Sequence, residues 1–222
     1  MLAAAIPGVT LDPALVPKFV TPLPQPLDPS FIYSPTGTTK VTLESGKTAN
    51  APLYTVGAYQ IQESLGLGTY GALGITPPAG KTSTDRVVTT VYGYGTSAAT
   101  ATYPGRTFNV QSGQPIAVQW VDGLTQNQQL LPVDPSTLMQ GDKSGKDYYT
   151  VDPATKQVTF TSGIPTSPHL HGGHTQATSD GTPLQWFTAT GPNQQLGPDS
   201  NGTLCRSTKW ERMTACCRHR RT

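Results

Sequence analysis

Three of the chain's four histidines fall within six positions, inside the stretch SPHLHGGHTQATSDGTPLQWF from 167 to 187. His169 and His171 stand one residue apart. In an extended strand, residues i and i+2 share a face, which would set the two imidazoles side by side with Cα atoms about 6–7 Å apart. Imidazole nitrogen is a common ligand for copper and zinc. Two on one face can hold a single ion, or each can serve a different ion of a cluster. Gly172 and Gly173 remove side chains where other ligating strands would have to approach. On the same text, His169 and His171 also read as a solvated or hydrogen-bonded pair, because a bare His-x-His pattern arises by chance. His174 alone reads as a surface or outer-shell residue, and Asp180 in TSDGT as a turn residue.

Two other motifs fail on spacing. GITPPAGKTS ends like a phosphate-binding loop, but Gly74 stands five residues before Gly80-Lys81-Thr82 where the motif needs four. Its two prolines also remove N–H groups that a phosphate cradle would use. A cupin begins with Gly, five residues and His-x-His, and Gly163 precedes His169 by that spacing. The cupin pattern then requires a glutamate, where this chain has Thr175 and Gln176, and no second histidine motif follows.

The elements that must carry the histidines are short and β-type. TKVTLES alternates, LYTVGAYQIQE and RVVTTVYGYG are rich in β-branched and aromatic residues, and KQVTFTSGI leads into the histidine segment. TYPGRTFNVQSGQPIAVQWVDGL reads as strand, turn, strand, with Ile116, Val118 and Trp120 alternating on one face. Residues 1–37 are punctuated by proline and predict an extended arm lying across a domain surface. Residues 65–83 read as a glycine-rich loop, and 134–156 as polar and loop-like. No segment holds a helical period and no internal repeat is present. The expected class is all-β, a Greek-key β-sandwich.

Composition agrees. Of 222 residues only 13% are charged, while Gly and Pro number 23 and 21. No apolar run approaches the roughly 20 residues that span a bilayer. Residues 1–204 carry nine basic against twelve acidic side chains, a net −3, and the last eighteen carry six against one, a net +5. A mildly acidic body gives no reason to expect nucleic acid as a partner. Cys205, Cys216 and Cys217 all lie in the tail, so the body has neither a disulfide framework nor a thiol nucleophile. The N-terminus shows no signal-peptide pattern, Pro7 and Asp12 interrupting it early.

HLHGG, then SDG, then WF, then TGPN resembles the first copper-binding segment of multicopper oxidases, with closest likeness to the bacterial spore-coat laccase and bilirubin-oxidase-like group. Upstream, PKFVTPLPQP resembles that family's N-terminal arm, TTVYGYG its early strand, TYPGRTFNVQSG its Pro-Gly strand, and LLPVD the segment before the ligand strand. The likeness covers roughly residues 14–199. Arg106, where a proline is usual, and His174, where an apolar residue is usual, depart from it. The resemblance implies a cupredoxin-type sandwich and copper as cofactor. It implies His169 as a ligand of the type 2 copper, His171 as a ligand of a type 3 copper, and Asp180 as a proton relay near the cluster. Trp186 and Phe187 would be packing residues. In the complete enzyme the partners would be O₂ and a small aromatic reductant, and the setting a spore coat, periplasm or extracellular space.

The family places eight histidines around its cluster and a separate mononuclear copper in a later domain, so two histidines predict no oxidase turnover from these residues alone. The division expected is an arm over 1–37, an incomplete first cupredoxin-like domain over 38–204, and a basic, cysteine-rich tail over 205–222. That tail abandons the preceding composition and reads as a shifted reading frame, with a genuine basic tail as the competing view. Loss of the next ligand segment predicts an unpaired sheet edge and a marginally stable chain. The alternative function is a non-catalytic β-sandwich module that binds one metal ion through His169 and His171.

Overall fold

The computed structural model describes residues 11–43, 45–111, 113–138, 141–169, 171, 181–189 and 192–200, with the backbone of 204–206. The chain is all-β, as expected: seven strands, a few single 3-10 turns and no α-helix among the described residues. No described helix is long and apolar enough to cross a membrane.

The organising element is β2 (Thr48–Glu63), sixteen residues long. Its first half pairs antiparallel with β1 (Gly37–Thr42), through a turn closed by Gly46, where φ is 79°. Its second half pairs antiparallel with β3 (Thr89–Gly95), from Gly57 opposite Gly95 to Glu63 opposite Thr89. On the other edge, β4 (Ala117–Asp122) runs parallel to β2, with Leu53 opposite Ala117 and Ala58 opposite Asp122. β7 (Leu204–Arg206) pairs antiparallel with β4 through the backbone. Sheet pairing therefore continues across the change in composition at 204–205. β5 (Tyr149–Val151) and β6 (Val158–Phe160) form a separate antiparallel pair.

Side-chain alternation sorts the core. Tyr54 and Val56 on β2 and Val118 on β4 are buried, with Tyr33 and Ile116, and the partly buried Phe108 and Trp120 pack against them. Residues of the opposite parity, Ala51 and Ala117, bury with Val41 on the other face. Farther along the first face, Ala58 and Leu124 meet Val158 and Phe160 of the small sheet, together with Tyr148, Ile164 and Trp186. This second core is where the two sheets face one another. Ile116, Val118 and Trp120 do share a face, as the alternation predicted.

Two expectations need correcting. The run TYPGRTF forms only isolated bridges, Tyr94 with Thr102 and Ile32 with Thr107, in place of a strand. Pro104, which has no N–H to give, and Gly105 break the ladder there. Conversely, the polar stretch 134–156 contains β5, because Tyr149 and Val151 have an apolar surface to cover although their neighbours are polar.

Leu11 packs with Leu67 against Tyr70, Leu73 and Val87, in and just beyond the glycine-rich loop. A Cβ on Gly66 would press on Thr21, and one on Gly68 on Pro17, so the absent side chains let the arm lie close. Four Asp-Pro pairs set turns along the chain. In each, an aspartate oxygen accepts the N–H two residues on: Asp12 from Ala14, Asp28 from Ser30, Asp134 from Ser136 and Asp152 from Ala154. The intervening proline has no N–H to leave unsatisfied, and its fixed φ suits the first position of the turn.

Candidate metal centre

The histidine segment begins where Thr166 bridges Phe187. Thr166 donates its N–H to Phe187 and accepts from it, both at 2.9 Å. Ser167 then donates its hydroxyl to the Gln185 carbonyl at 3.3 Å. Beyond this point the described residues, 167–169 and 171, carry no strand pairing, and the rest of the segment expected to form an i, i+2 strand lies outside the described residues.

The two imidazoles are nevertheless brought together. The rings of His169 and His171 lie with centroids 4.6 Å apart and planes tilted by 44°. His169 is half-buried and His171 exposed. His169 Nδ1 is 3.4 Å from the Ser167 carbonyl, a long contact in which a carbonyl can only accept. The Nδ1–H tautomer is the one that makes a hydrogen bond of this contact, and in that tautomer the Nε2 lone pair is left for another partner.

Gly181 supplies the floor. Its φ is +70°, in the left-handed region, and a Cβ there would run into the His169 ring. Glycine is needed twice over, for the backbone and for the space. The SDG stretch thus bears on the site through its glycine, where reading by residue type pointed to Gly172 and Gly173. Those two glycines, His174 and Asp180 lie outside the described residues.

Trp186 and Phe187 are buried at 6% and 5% exposure and pack, as expected. Trp186 meets Tyr148 with ring centroids 4.2 Å apart. A single carboxylate stands out near this segment. Asp122 is 2% exposed, on the β4 face it shares with Val118 and Trp120. Oδ1 accepts from Leu124 N–H at 2.7 Å and Oδ2 from the Thr166 hydroxyl at 3.2 Å. Burial pushes its pKa up to about 7, against the opposing pull of those two hydrogen bonds. Nothing in VQWVDGL marked this aspartate, which reads as a turn residue before Gly123.

Among the described residues no group of three or more His, Cys, Asp or Glu side chains converges as a metal cage. Among the described residues, the paired rings over Gly181 offer two nitrogen donors. A separate cleft of about 220 Å³ is lined by Thr125, Thr161, Ser162, Ala189, Pro192, Asn193 and Gln194, and these described residues are all neutral.

The chain is similar to plant proteins over about half its length. It is 38% identical over 112 residues to multicopper oxidase LPR1 homolog 1 of Oryza sativa subsp. japonica, a match covering 49% of this chain and 16% of that protein. It is 39% identical over 112 residues to multicopper oxidase LPR1 of Arabidopsis thaliana, again covering 49% and 16%. Multicopper oxidase LPR2 of Arabidopsis thaliana is 38% identical over 105 residues, 47% of this chain and 15% of that protein. The matched stretch is therefore a small part of each relative. No protein-family profile matches the chain, and no solved structure does.

Proposed function

We propose that residues 167–187 form the first copper-binding segment of a laccase-type multicopper oxidase. The observation that carries this reading is the convergence of the His169 and His171 rings over Gly181. Its support is the similarity of half the chain to proteins named as multicopper oxidases. In this reading His169 ligates the type 2 copper and His171 a type 3 copper, and Asp180 relays protons near them. His174 stands outside the ligand set. Copper held there would supply one-electron chemistry, with a small aromatic reductant as electron source and O₂ as acceptor.

The chain's own residues do narrower work. Ser167 holds the His169 Nδ1 proton, which orients Nε2 outward. Gly181 keeps the ring from being displaced. With two of the eight cluster histidines in hand, residues 1–222 alone give no oxidase turnover in this reading. The whole activity belongs to a longer assembly of ligands.

A second reading keeps the same two side chains but a different function, a module holding one Zn²⁺ or Cu²⁺. It is favoured by the exposure of His171, which leaves the pair open to solvent ions. Copper titration followed by calorimetry separates the two. Half a cluster binds Cu²⁺ weakly, and His169→Ala or His171→Ala each abolishes that binding. Tight saturation at one ion per chain favours the single-ion module. Binding indifferent to both substitutions sinks both readings.

A further inference from the structure

We propose that Asp122 is a positioning residue: its carboxyl clasps Thr166 to the end of β4 and so fixes where the segment bearing His169 and His171 departs from the sheet. Thr166 is the last residue of that segment with extended pairing, and its N–H and C=O are both committed to Phe187. Its hydroxyl reaches the other way, to Asp122 Oδ2 at 3.2 Å. Asp122 Oδ1 holds the Leu124 N–H at 2.7 Å, and Leu124 in turn accepts from Ile164 N–H at 3.1 Å. The carboxyl therefore ties together both sides of the chain just before the histidines. Only two residues, Ser167 and Pro168, separate Thr166 from His169, about 10 Å of fully extended chain over three steps, so displacement at the clasp passes directly to the imidazoles.

The clasp is sensitive to charge. A carboxylate offers about four lone-pair sites, and here two donors serve them in a site with little solvent. Among the described residues, no cation offsets its charge. β2 contributes Ala58 as register partner and the adjacent Tyr59, whose ring covers Gly123. The 164–171 segment contributes Thr166 and, farther along, His169 and His171. Burial and the two hydrogen bonds set the ionisation. When protonated, the group keeps both contacts without net charge. When ionised near neutral pH, it still accepts from both donors, but its charge is held in a site with little solvent, which raises the free energy of the closed arrangement relative to states that open the site to water.

The test uses the full chain and two readouts. Amide hydrogen exchange of peptides covering 164–171 and 185–188, corrected for intrinsic rates, is compared at pH 6 and pH 8. In the wild type, protection of these peptides falls about tenfold at the higher pH, while β1 and β3 hold theirs. Asp122→Asn, which keeps the acceptor for Leu124 and stays neutral, flattens that difference. Thr166→Val removes the hydroxyl alone and loses about tenfold protection at both pH values, and Thr166→Ser restores the wild-type profile. A pH drop unchanged in Asp122→Asn, or full protection in Thr166→Val, overturns the clasp.

Zn²⁺ titration at a single pH reads the positioning. It rests on the metal-binding reading above, whereas the exchange measurement does not. Thr166→Val weakens Zn²⁺ binding several-fold; if wild-type binding is unaltered by it, the positioning role is overturned. Should wild type take up no Zn²⁺ or Cu²⁺ at all, the metal-binding reading fails while exchange still decides the clasp.

Discussion

Asp122 and Asp142 are both tied by hydrogen bonds to segments distant in sequence, yet their surroundings push their carboxyls in opposite directions. Asp122 is buried and has two donors, and its pKa is raised to about 7. Asp142 lies in the exposed loop between Gly141 and Gly145. Such burial as it has pushes its pKa up, but Ser144, Lys146 and Gln195 outweigh that and hold it at about 2. Its Oδ1 accepts from the N–H of Ser144 at 2.8 Å, the Ser144 hydroxyl at 2.7 Å and the N–H of Lys146 at 2.9 Å. Oδ2 accepts from Gln195 Nε2 at 3.2 Å. Gln195 also takes the Thr161 hydroxyl at 2.6 Å, which anchors the 192–200 segment to the body. The lesson is that donor count and solvent access decide whether a tethering carboxylate steadies the fold as an ion or strains it as one.

The sharpest way to break the comparison is pH. Asp122 has a folded pKa above its ordinary 3.8, so the folded state holds the proton more tightly than the unfolded chain. Its contribution to stability is therefore full below about 4 and falls as pH rises to about 7, by up to about 4 kcal/mol, flattening above that. Asp142 runs the other way. Its contribution is present above about 4 and is lost as pH falls toward about 2. Urea denaturation from pH 2 to 8 shows the first limb vanish in Asp122→Asn and the acid limb shrink in Asp142→Asn. The same slope in Asp122→Asn as in wild type refutes the assignment.

At pH 6, where Asp122 is largely neutral, Asp122→Ala strands the Leu124 N–H and the Thr166 hydroxyl and costs about 2–3 kcal/mol in the same assay. Asp142→Ala costs less, about 1 kcal/mol, because solvent replaces the lost partners of an exposed loop. Gly181→Ala costs about 1 kcal/mol for the left-handed backbone. Its clearer signature is local, a change in the His169 imidazole resonances as the ring is displaced. Asp28→Ala, in the arm, leaves the denaturation midpoint within error, since water serves the freed Ser30 N–H.

Much of the sheet was legible. The alternation in 53–63, 89–95 and 116–120 placed β2, β3 and β4, because one buried face leaves a period of two in the text. The described residues just beyond Thr166 carry no strand pairing, and the partner of Thr166, Phe187, lies twenty-one residues away, where local text carries no sign of it. β5 was missed because three residues give alternation no room to show. Asp122 was missed because burial is a tertiary property, and an aspartate before glycine looks like any turn. The tail's altered composition was legible, whereas the pairing of 204–206 with β4 depends on a partner some ninety residues upstream.

The four Asp-Pro turns carry a chemical consequence. An aspartyl carboxylate can attack its own peptide carbonyl, and the proline nitrogen, being a relatively basic tertiary amide nitrogen, leaves readily once protonated in acid. All four aspartates are exposed at the surface. While the turns hold, each carboxylate is engaged with the amide two residues on and is drawn away from that attack. Unfolding in mild acid releases it. The chain then comes apart into the pieces 1–12, 13–28, 29–134, 135–152 and 153–222, and their order of appearance by mass records which turn opens first.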